Sequence, residues 1–288
     1  MDALKAPLKK SSVAMHPLVI KIGGALLDEP ATAVNGHLAT IAGIVDLHRE
    51  AQARGSGVVL VHGGGVAVDR HLARLGVTTE RIDGIRVTPP DVVEEIVGVL
   101  AGRVNTRLLG LLIAAGAKPV GLSLGDGCLC ACRKSTRYAF DPGAVGEITG
   151  GDPSVIHTLI DGGFLPVVSS IGLDAEGQCL NVNADDAAAA IARIVSAQEL
   201  VLLTDVAGVL DKHGRVIPYL NRDAIEGLIA DSTIRGGMIA KVRGALEAAE
   251  QAGVPVTIAS WKDPASITAR QAMPACTRIA GAIVAPSR

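Results

Sequence analysis

Residues Val58–Asp69 read VVLVHGGGVAVD: an unbroken apolar run, a histidine, three consecutive glycines and the opening of a helical pattern. An apolar run without polar alternation marks a strand covered on both faces, the situation of a parallel sheet flanked by helices. A glycine turn leading into a helix presents backbone N–H groups and the positive end of the helix dipole to an anion. Neither Gly-Lys-Ser nor Gly-x-Gly-x-x-Gly follows, so the loop has the form of a phosphate cradle without a cation of its own.

The same grammar extends along the chain. PLVIKIG, KPVGLSL, FLPVVSSI, ELVLLTD and VPVTIAS are further apolar runs bounded by turn residues. Between them lie segments of helical length at Ala31–Ala53, Asp91–Ala115, Ala184–Ser196 and Gly237–Ala252. Strands alternating with helices define an α/β fold, a three-layer αβα sandwich on a mainly parallel central sheet. Two stretches break the alternation. LCACRKSTRYAFDPGAVGEIT reads as a protruding hairpin, and IGLDAEGQCLNVNAD as two short strands about a turn at Ala175–Gly177. One continuous sheet is expected in a single domain, residues 16–284, with functional halves 16–180 and 181–284, preceded by a tail, residues 1–15.

Composition narrows the function. The 288 residues are 49% hydrophobic but only 2% aromatic, so the core is aliphatic and offers no platform for stacking bases. Lys and Arg number 27 against 29 Asp and Glu, a balance that disfavours a nucleic-acid partner. Mean hydropathy is +0.39, yet the longest uncharged apolar run, LLGLLIAAGA, is about half of what a bilayer span requires. No leader pattern precedes Lys21, and the five cysteines are an odd number. A cytoplasmic protein without disulfides, membrane segment or metal site is therefore expected. Alternation in CLCAC would set Cys128, Cys130 and Cys132 on one face of a strand, where small apolar side chains lining a hairpin is a simpler reading than a soft-metal patch.

Several residues carry possible chemistry. In VIKIGGALL, Lys21 interrupts an apolar strand, and burying an unpaired ammonium costs several kcal/mol, roughly. It should emerge at the carboxyl end of the strand, where open α/β sheets bind ligands, beside Gly23 and Gly24. Gly63, Gly64 and Gly65 repeat that arrangement on another strand. LNVNADDAAAAIA places Asn181, Asn183, Asp185 and Asp186 ahead of a helix; capping explains one or two of them, and Asp185 is a candidate for orienting lysines. Thr204 and Asp205 end a strand, Gly208 permits a turn, and Gly236 and Gly237 precede a helix bearing Lys241. Arg86, in DGIRVTPP, has the planar fork that suits a carboxylate.

VIKIGG, VLVHGGG, GIRVT, AGRVN, GLSLGDG, LPVVSSIG, NVNAD, LLTDVAGVL and GGMIAKV occur in this order from about Leu18 to Ala280, and together they resemble the N-acetylglutamate kinases of the amino acid kinase family. The resemblance implies ATP, with Mg²⁺ carried by the nucleotide, and phosphorylation of the side-chain carboxylate of N-acetyl-L-glutamate in arginine biosynthesis. It implies that Lys21 and Lys241 neutralise the transferring phosphoryl group and that Asp185 orients both lysines. Gly23, Gly24, Gly63, Gly64 and Gly65 would approach the phosphates and the transferring group, while Arg86 and Asn181 would hold the acceptor's α-carboxylate. Thr204, Asp205, Val206, Ala207, Gly208, Val209 and Leu210, with Thr233, Ile234, Arg235, Gly236 and Gly237, would line the nucleotide pocket. The short N-terminal tail implies an arginine-insensitive homodimer, with the apolar helix Val92–Ala115 as its face. The hairpin after GLSLGDG departs from the family pattern, which leaves other acidic acceptors, such as a longer acylated amino acid, aspartate or carbamate, as alternatives.

Overall fold

The computed structural model describes residues 16–23, 34–82, 84–263 and 276–280. Gly24, the segment 1–15, residues 31–33 of the first expected helix and residues 281–284 of the expected domain lie outside these.

In chain order the elements are β1 (Leu18–Ile22), α1 (Val34–Ala53), β2 (Val58–His62), α2 (Gly65–Arg74), β3 (Arg81–Ile82), β4 (Ile85–Arg86) and α3 (Val93–Ala114). There follow β5 (Pro119–Ser123), β6 (Ala131–Lys134), β7 (Val145–Gly150), α4 (Ser154–Asp161), β8 (Leu165–Ser169), β9 (Ile171–Leu173), β10 (Cys179–Val182) and α5 (Ala184–Ile194). The chain continues through β11 (Glu199–Thr204), β12 (Tyr219–Leu220), α6 (Arg222–Ala230), α7 (Gly237–Ala252), β13 (Val256–Ser260) and β14 (Thr277–Ile279).

Eight strands form the central sheet in the order β12-β14-β13-β11-β1-β2-β8-β5, with every neighbouring pair parallel except β13 and β14. The six long apolar runs of the sequence supply six of these strands. Alternation within β1 sorts its side chains between two layers. Leu18, Ile20 and Ile22 enter a core with α1, α2 and α3, and Val19 enters a second core with α4, α5 and α7. Lys21 therefore projects on the α5 side, a period-two consequence of its place in the strand. Fully burying each Val, Leu or Ile of such a strand contributes about 1.5–3 kcal/mol.

The chain leaves β1 toward β2, and β11 lies on the other flank of β1. The carboxyl ends of β1 and β11 thus bracket the point where the winding changes direction, the place where open parallel sheets form a ligand crevice.

The expectation of one continuous sheet is corrected. A separate four-stranded mixed sheet, β6-β7-β10-β9, and the two-stranded β3–β4 hairpin stand beside the large one. The protruding hairpin is present as antiparallel β6–β7, and the second irregular stretch as antiparallel β9–β10. Short strands with mixed polar faces cannot enter a sheet covered on both sides, so they pair with one another instead.

Among the described residues, one helix, α3, is long and apolar enough to cross a membrane, with a mean hydropathy of 1.6. Part of its apolar surface faces inward: Ile96, Val99, Leu100, Leu108 and Leu112 are buried in the core shared with α1 and the sheet. Residues Gly98–Val104 of this helix are π-helical, a widening that rotates the following turns relative to the preceding ones.

Candidate active site

Helix α5 begins where Asn183 caps it, its Oδ1 accepting from the N–H groups of Asp185 (2.8 Å) and Asp186 (3.3 Å). The acidic residues of the first turn suit the positive end of the helix dipole. The Lys21 ammonium meets Asp185 Oδ1 at 2.9 Å, with Lys21 only 17% exposed. Each residue of the polar NVNADD cluster has its own partner. Asn183 caps, Asp185 takes Lys21, Asp186 pairs with Arg137, and Asn181 donates to Thr88 Oγ1 at 3.1 Å.

Lys21 and Asp185 stand in a cleft of roughly 380 Å³ that Gly23, Gly63, Gly64, Gly65, Arg86 and Asn181 also line. The triglycine turn serves packing as well as ligand approach: a Cβ on Gly64 would lie 2.9 Å from Leu100 Cδ2. Gly64 and Gly65 donate to no acceptor among the described residues, as expected for the first N–H groups of α2. Arg86 is buried and held on three sides. It pairs with Asp69 Oδ1 at 2.5 Å, donates to Thr79 Oγ1 at 2.7 Å and to the Gly65 carbonyl at 3.2 Å. Burial lowers its pKa and the Asp69 carboxylate partly restores it, but an arginine remains charged.

Four residues around this cleft were not singled out from the sequence. Thr88, inside GIRVT, joins Arg86 and Asn181: its hydroxyl donates to the Arg86 carbonyl at 3.1 Å and accepts from Asn181. Asp69 binds both Arg86 and Arg81. Arg81 and Tyr138 line the cleft, and Tyr138 belongs to the β6–β7 loop, which Arg137 ties to Asp186 and Glu147. Only the motif containing Thr88 carried a signal; the others depend on pairings between distant segments.

Asp185 engages Lys21, whereas Lys241 has a different partner. Lys241, in the second turn of α7, binds Asp205 Oδ1 at 2.6 Å, just beyond the end of β11. The Lys241 hydrogen bond holds the Asp205 carboxyl below the ordinary carboxylate range. Asp205 is therefore the internal counterion of Lys241. Of the other residues expected at the nucleotide, Gly23 lines the cleft, and neither Thr204–Leu210 nor Thr233–Gly237 does. Thr204 Oγ1 instead closes a turn by donating to the Val206 carbonyl at 3.0 Å. Gly208 packs against Thr277, whose Oγ1 accepts from Val209 N–H at 2.8 Å. Ile234 is buried, while Arg235, Gly236 and Gly237 are exposed, and Gly236 caps α7 at φ 55°, a left-handed conformation that favours glycine.

The cysteine pattern is also corrected. Cys130 and Cys132 share the buried face, but Cys128 is exposed, in a 3-10 turn before the strand. Burial pushes the Cys130 thiol up to about 12 and the Cys132 thiol up to about 11, the opposite of what thiolate metal ligation requires. Among the described residues no three His, Cys, Asp or Glu side chains group to hold a metal ion.

The model of the amino acid kinase family matches residues 17–260. The chain belongs to the amino acid kinase family. Its relatives include the acetylglutamate kinases of Vibrio vulnificus (strain CMCP6), 44% identical over 88% of this chain and 92% of that protein, and of Aeromonas salmonicida (strain A449), 45% identical over 86% and 91%. Among solved structures, smu.665 from Streptococcus mutans UA159 aligns with a TM-score of 0.69 at 26% identity, covering 91% of this chain and 98% of that one. N-acetylglutamate synthase from Neisseria gonorrhoeae, complexed with coenzyme A and N-acetyl-glutamate, gives 0.72 at 25% identity over 92% of this chain and 59% of that one. The three-layer architecture of this amino acid kinase is thus a fold shared across its family.

Proposed function

We propose that this amino acid kinase transfers the γ-phosphoryl group of ATP to the side-chain carboxylate of N-acetyl-L-glutamate, giving N-acetyl-L-glutamyl 5-phosphate and ADP in arginine biosynthesis. The observation that carries the reading is the shared cleft: the Lys21–Asp185 pair, the triglycine turn, Arg86 and Asn181 face one volume.

The attacking carboxylate is ionised at neutral pH and needs no general base. One of its oxygens bonds to the γ-phosphorus as the bond to the β–γ bridging oxygen breaks, so the obstacle is two anions meeting. Phosphoryl transfer is promoted mainly by positioning and charge stabilisation. Arg86 and Asn181 hold the α-carboxylate, and Lys21 with the N–H groups of Gly64 and Gly65 faces the equatorial oxygens. Lys241 exchanges Asp205 for phosphate when the nucleotide arrives. The donor set suits a magnesium ion carried on the phosphates, because Asp185 and Asp205 are each engaged by a lysine. Such an ion supplies further charge neutralisation to the polyphosphate.

A cytoplasmic homodimer completes the proposal. The unpaired thiols of Cys128, Cys130, Cys132 and Cys179 agree with a reducing compartment, and Ile113, 61% exposed on α3, offers apolar surface to a second copy. Sedimentation should give twice the chain mass.

The acceptor is tested by incubating the protein with ATP, Mg²⁺ and hydroxylamine, which traps acyl phosphates as hydroxamates. N-acetyl-L-glutamate should give the product, while aspartate and carbamate give little. Carbamate has no α-carboxylate for Arg86, and aspartate has a charged ammonium where the acetamide would lie. Equal turnover of aspartate would refute the assignment.

A further inference from the structure

His62 ends β2 directly before the triglycine turn, and it is fully buried. Its Nδ1 lies 3.0 Å from the Gly63 carbonyl oxygen. A carbonyl only accepts, so Nδ1 carries the hydrogen and Nε2 has the free lone pair. Asn105 Nδ2 lies 3.0 Å from that Nε2 and 3.2 Å from the Val167 carbonyl. Both contacts need a donor on Asn105, so the amide orientation and the imidazole tautomer fix each other. Asn105 stands immediately after the π-helical stretch of α3. A Cβ on Gly121 would lie 2.2 Å from its Oδ1, so Gly121 leaves the room the amide occupies.

We infer that His62 and Asn105 are positioning residues for the phosphoryl-transfer turn: the imidazole pins the Gly63 carbonyl, and the planar trans peptide then points the Gly64 N–H the opposite way, toward the reacting phosphoryl group. The inference rests on the kinase reading above. Gly64 packs against Leu100 and Val104 of the π-helical stretch, so the irregular helix braces the turn from one side while its next residue sets the imidazole. Burial lowers the His62 pKa, which keeps the ring neutral and its single Nδ1 hydrogen committed to Gly63. The pair does not touch the acceptor carboxylate held by Arg86 and Asn181. It therefore affects the charge developing in transfer more than ground-state binding.

Two isosteric replacements separate the roles of the ring nitrogens. His62→Asn keeps a donor near the Nδ1 position, whereas His62→Gln keeps only a group near Nε2. Their kinetics with N-acetyl-L-glutamate and ATP are compared with the parent chain, and thermal melts of each variant are recorded. His62→Gln should lower kcat about 30-fold or more, a fraction of the roughly 10²–10³ lost with an entire oxyanion donor, while each KM changes less than about threefold. His62→Asn should recover most of that kcat. Should the Gln variant fail to fold, Asn105→Leu, which frees the tautomer without removing the ring, should lower kcat about fivefold to tenfold at unchanged KM. The inference is overturned by unchanged kcat in a folded variant, by a rise in KM alone, or by equal kcat in the Asn and Gln variants. If the parent chain itself forms no acyl phosphate, the kinase reading and this inference fall together. If it does and the variants match it, only this inference falls.

Discussion

The two lysine–aspartate pairs assigned to phosphoryl transfer differ in setting: Lys21 and Asp185 line the cleft, and Lys241 and Asp205 are not among its lining residues. Lys21 is 17% exposed, rises from a central strand and meets an aspartate fixed in the first turn of a capped helix. Lys241 is 38% exposed and binds Asp205 in the turn after β11; the two aspartates are about equally exposed, Asp185 50% and Asp205 52%, so the difference lies in the lysines. Around Lys21, Arg86 is clamped by Asp69, Thr79 and Gly65, and Thr88 ties Arg86 to Asn181. Under the proposed function, the acceptor side would be organised before any ligand arrives, whereas Lys241 would have to exchange Asp205 for the nucleotide's phosphate. An enclosed charge gains more from each contact because water screens it less.

That asymmetry breaks first if the lysines prove equivalent. Lys21→Ala should lower kcat by roughly 10²–10³, and Lys21→Arg should recover little, because a broad planar guanidinium does not reproduce the compact ammonium's contact with Asp185. Lys241→Arg should retain more activity than Lys21→Arg, and the reverse order in steady-state assays would overturn the comparison. Arg86→Lys should raise the KM for the acceptor about tenfold or more, since a single ammonium cannot satisfy Asp69, Thr79 and Gly65 together.

A smaller effect sharpens the comparison. Asp205→Asn releases Lys241 and should lower the KM for ATP about threefold with kcat nearly kept, while Asp185→Asn should lower kcat. The folded pKa of Asp205 is depressed, so its pair stabilises the protein above the unfolded carboxylate value of about 3.9. That contribution is lost as pH falls through the lowered folded value. The melting difference between the parent chain and Asp205→Asn should accordingly be under about 1 kcal/mol at neutral pH and vanish in acid. Smallest is a control within the hairpin. In native protein at pH 8, mass spectrometry after brief iodoacetamide treatment should find Cys128 labelled, with Cys130 and Cys132 untouched until unfolding.

The sheet could be read from the sequence because its strands are covered on both faces, so PLVIKIG, GVVLVH and ELVLLTD are mostly apolar without polar alternation and are bounded by turns. The mixed sheet was less legible: β6, β7, β9 and β10 are short and half polar, and their pairing is set by contacts between segments distant along the chain. At the site, Lys21 announced itself as a charge in an apolar strand before a glycine turn, Asp185 as part of a polar cluster ahead of a helix, and Arg86 as a planar fork in DGIRVTPP. The partner of Lys241 did not, because Asp205 lies 36 residues away and only the neighbouring placement of β11 and α7 joins them. Asn105 was hidden for a similar reason: a regular helix periodicity gives no warning of the π-helical turns that aim it at His62.

The alternation of β1 has a bearing on how the chain assembles. A slip of one residue in its pairing with β2 or β11 would carry Lys21 into the aliphatic layer beneath α1 and α3 and send Ile20 and Ile22 toward the polar head of α5. Such a misaligned sheet would strand an ammonium among leucines and leave Asp185 without its ion. Lys21 thereby penalises the wrong strand alignment, so one charged side chain helps to fix the register of the central strand.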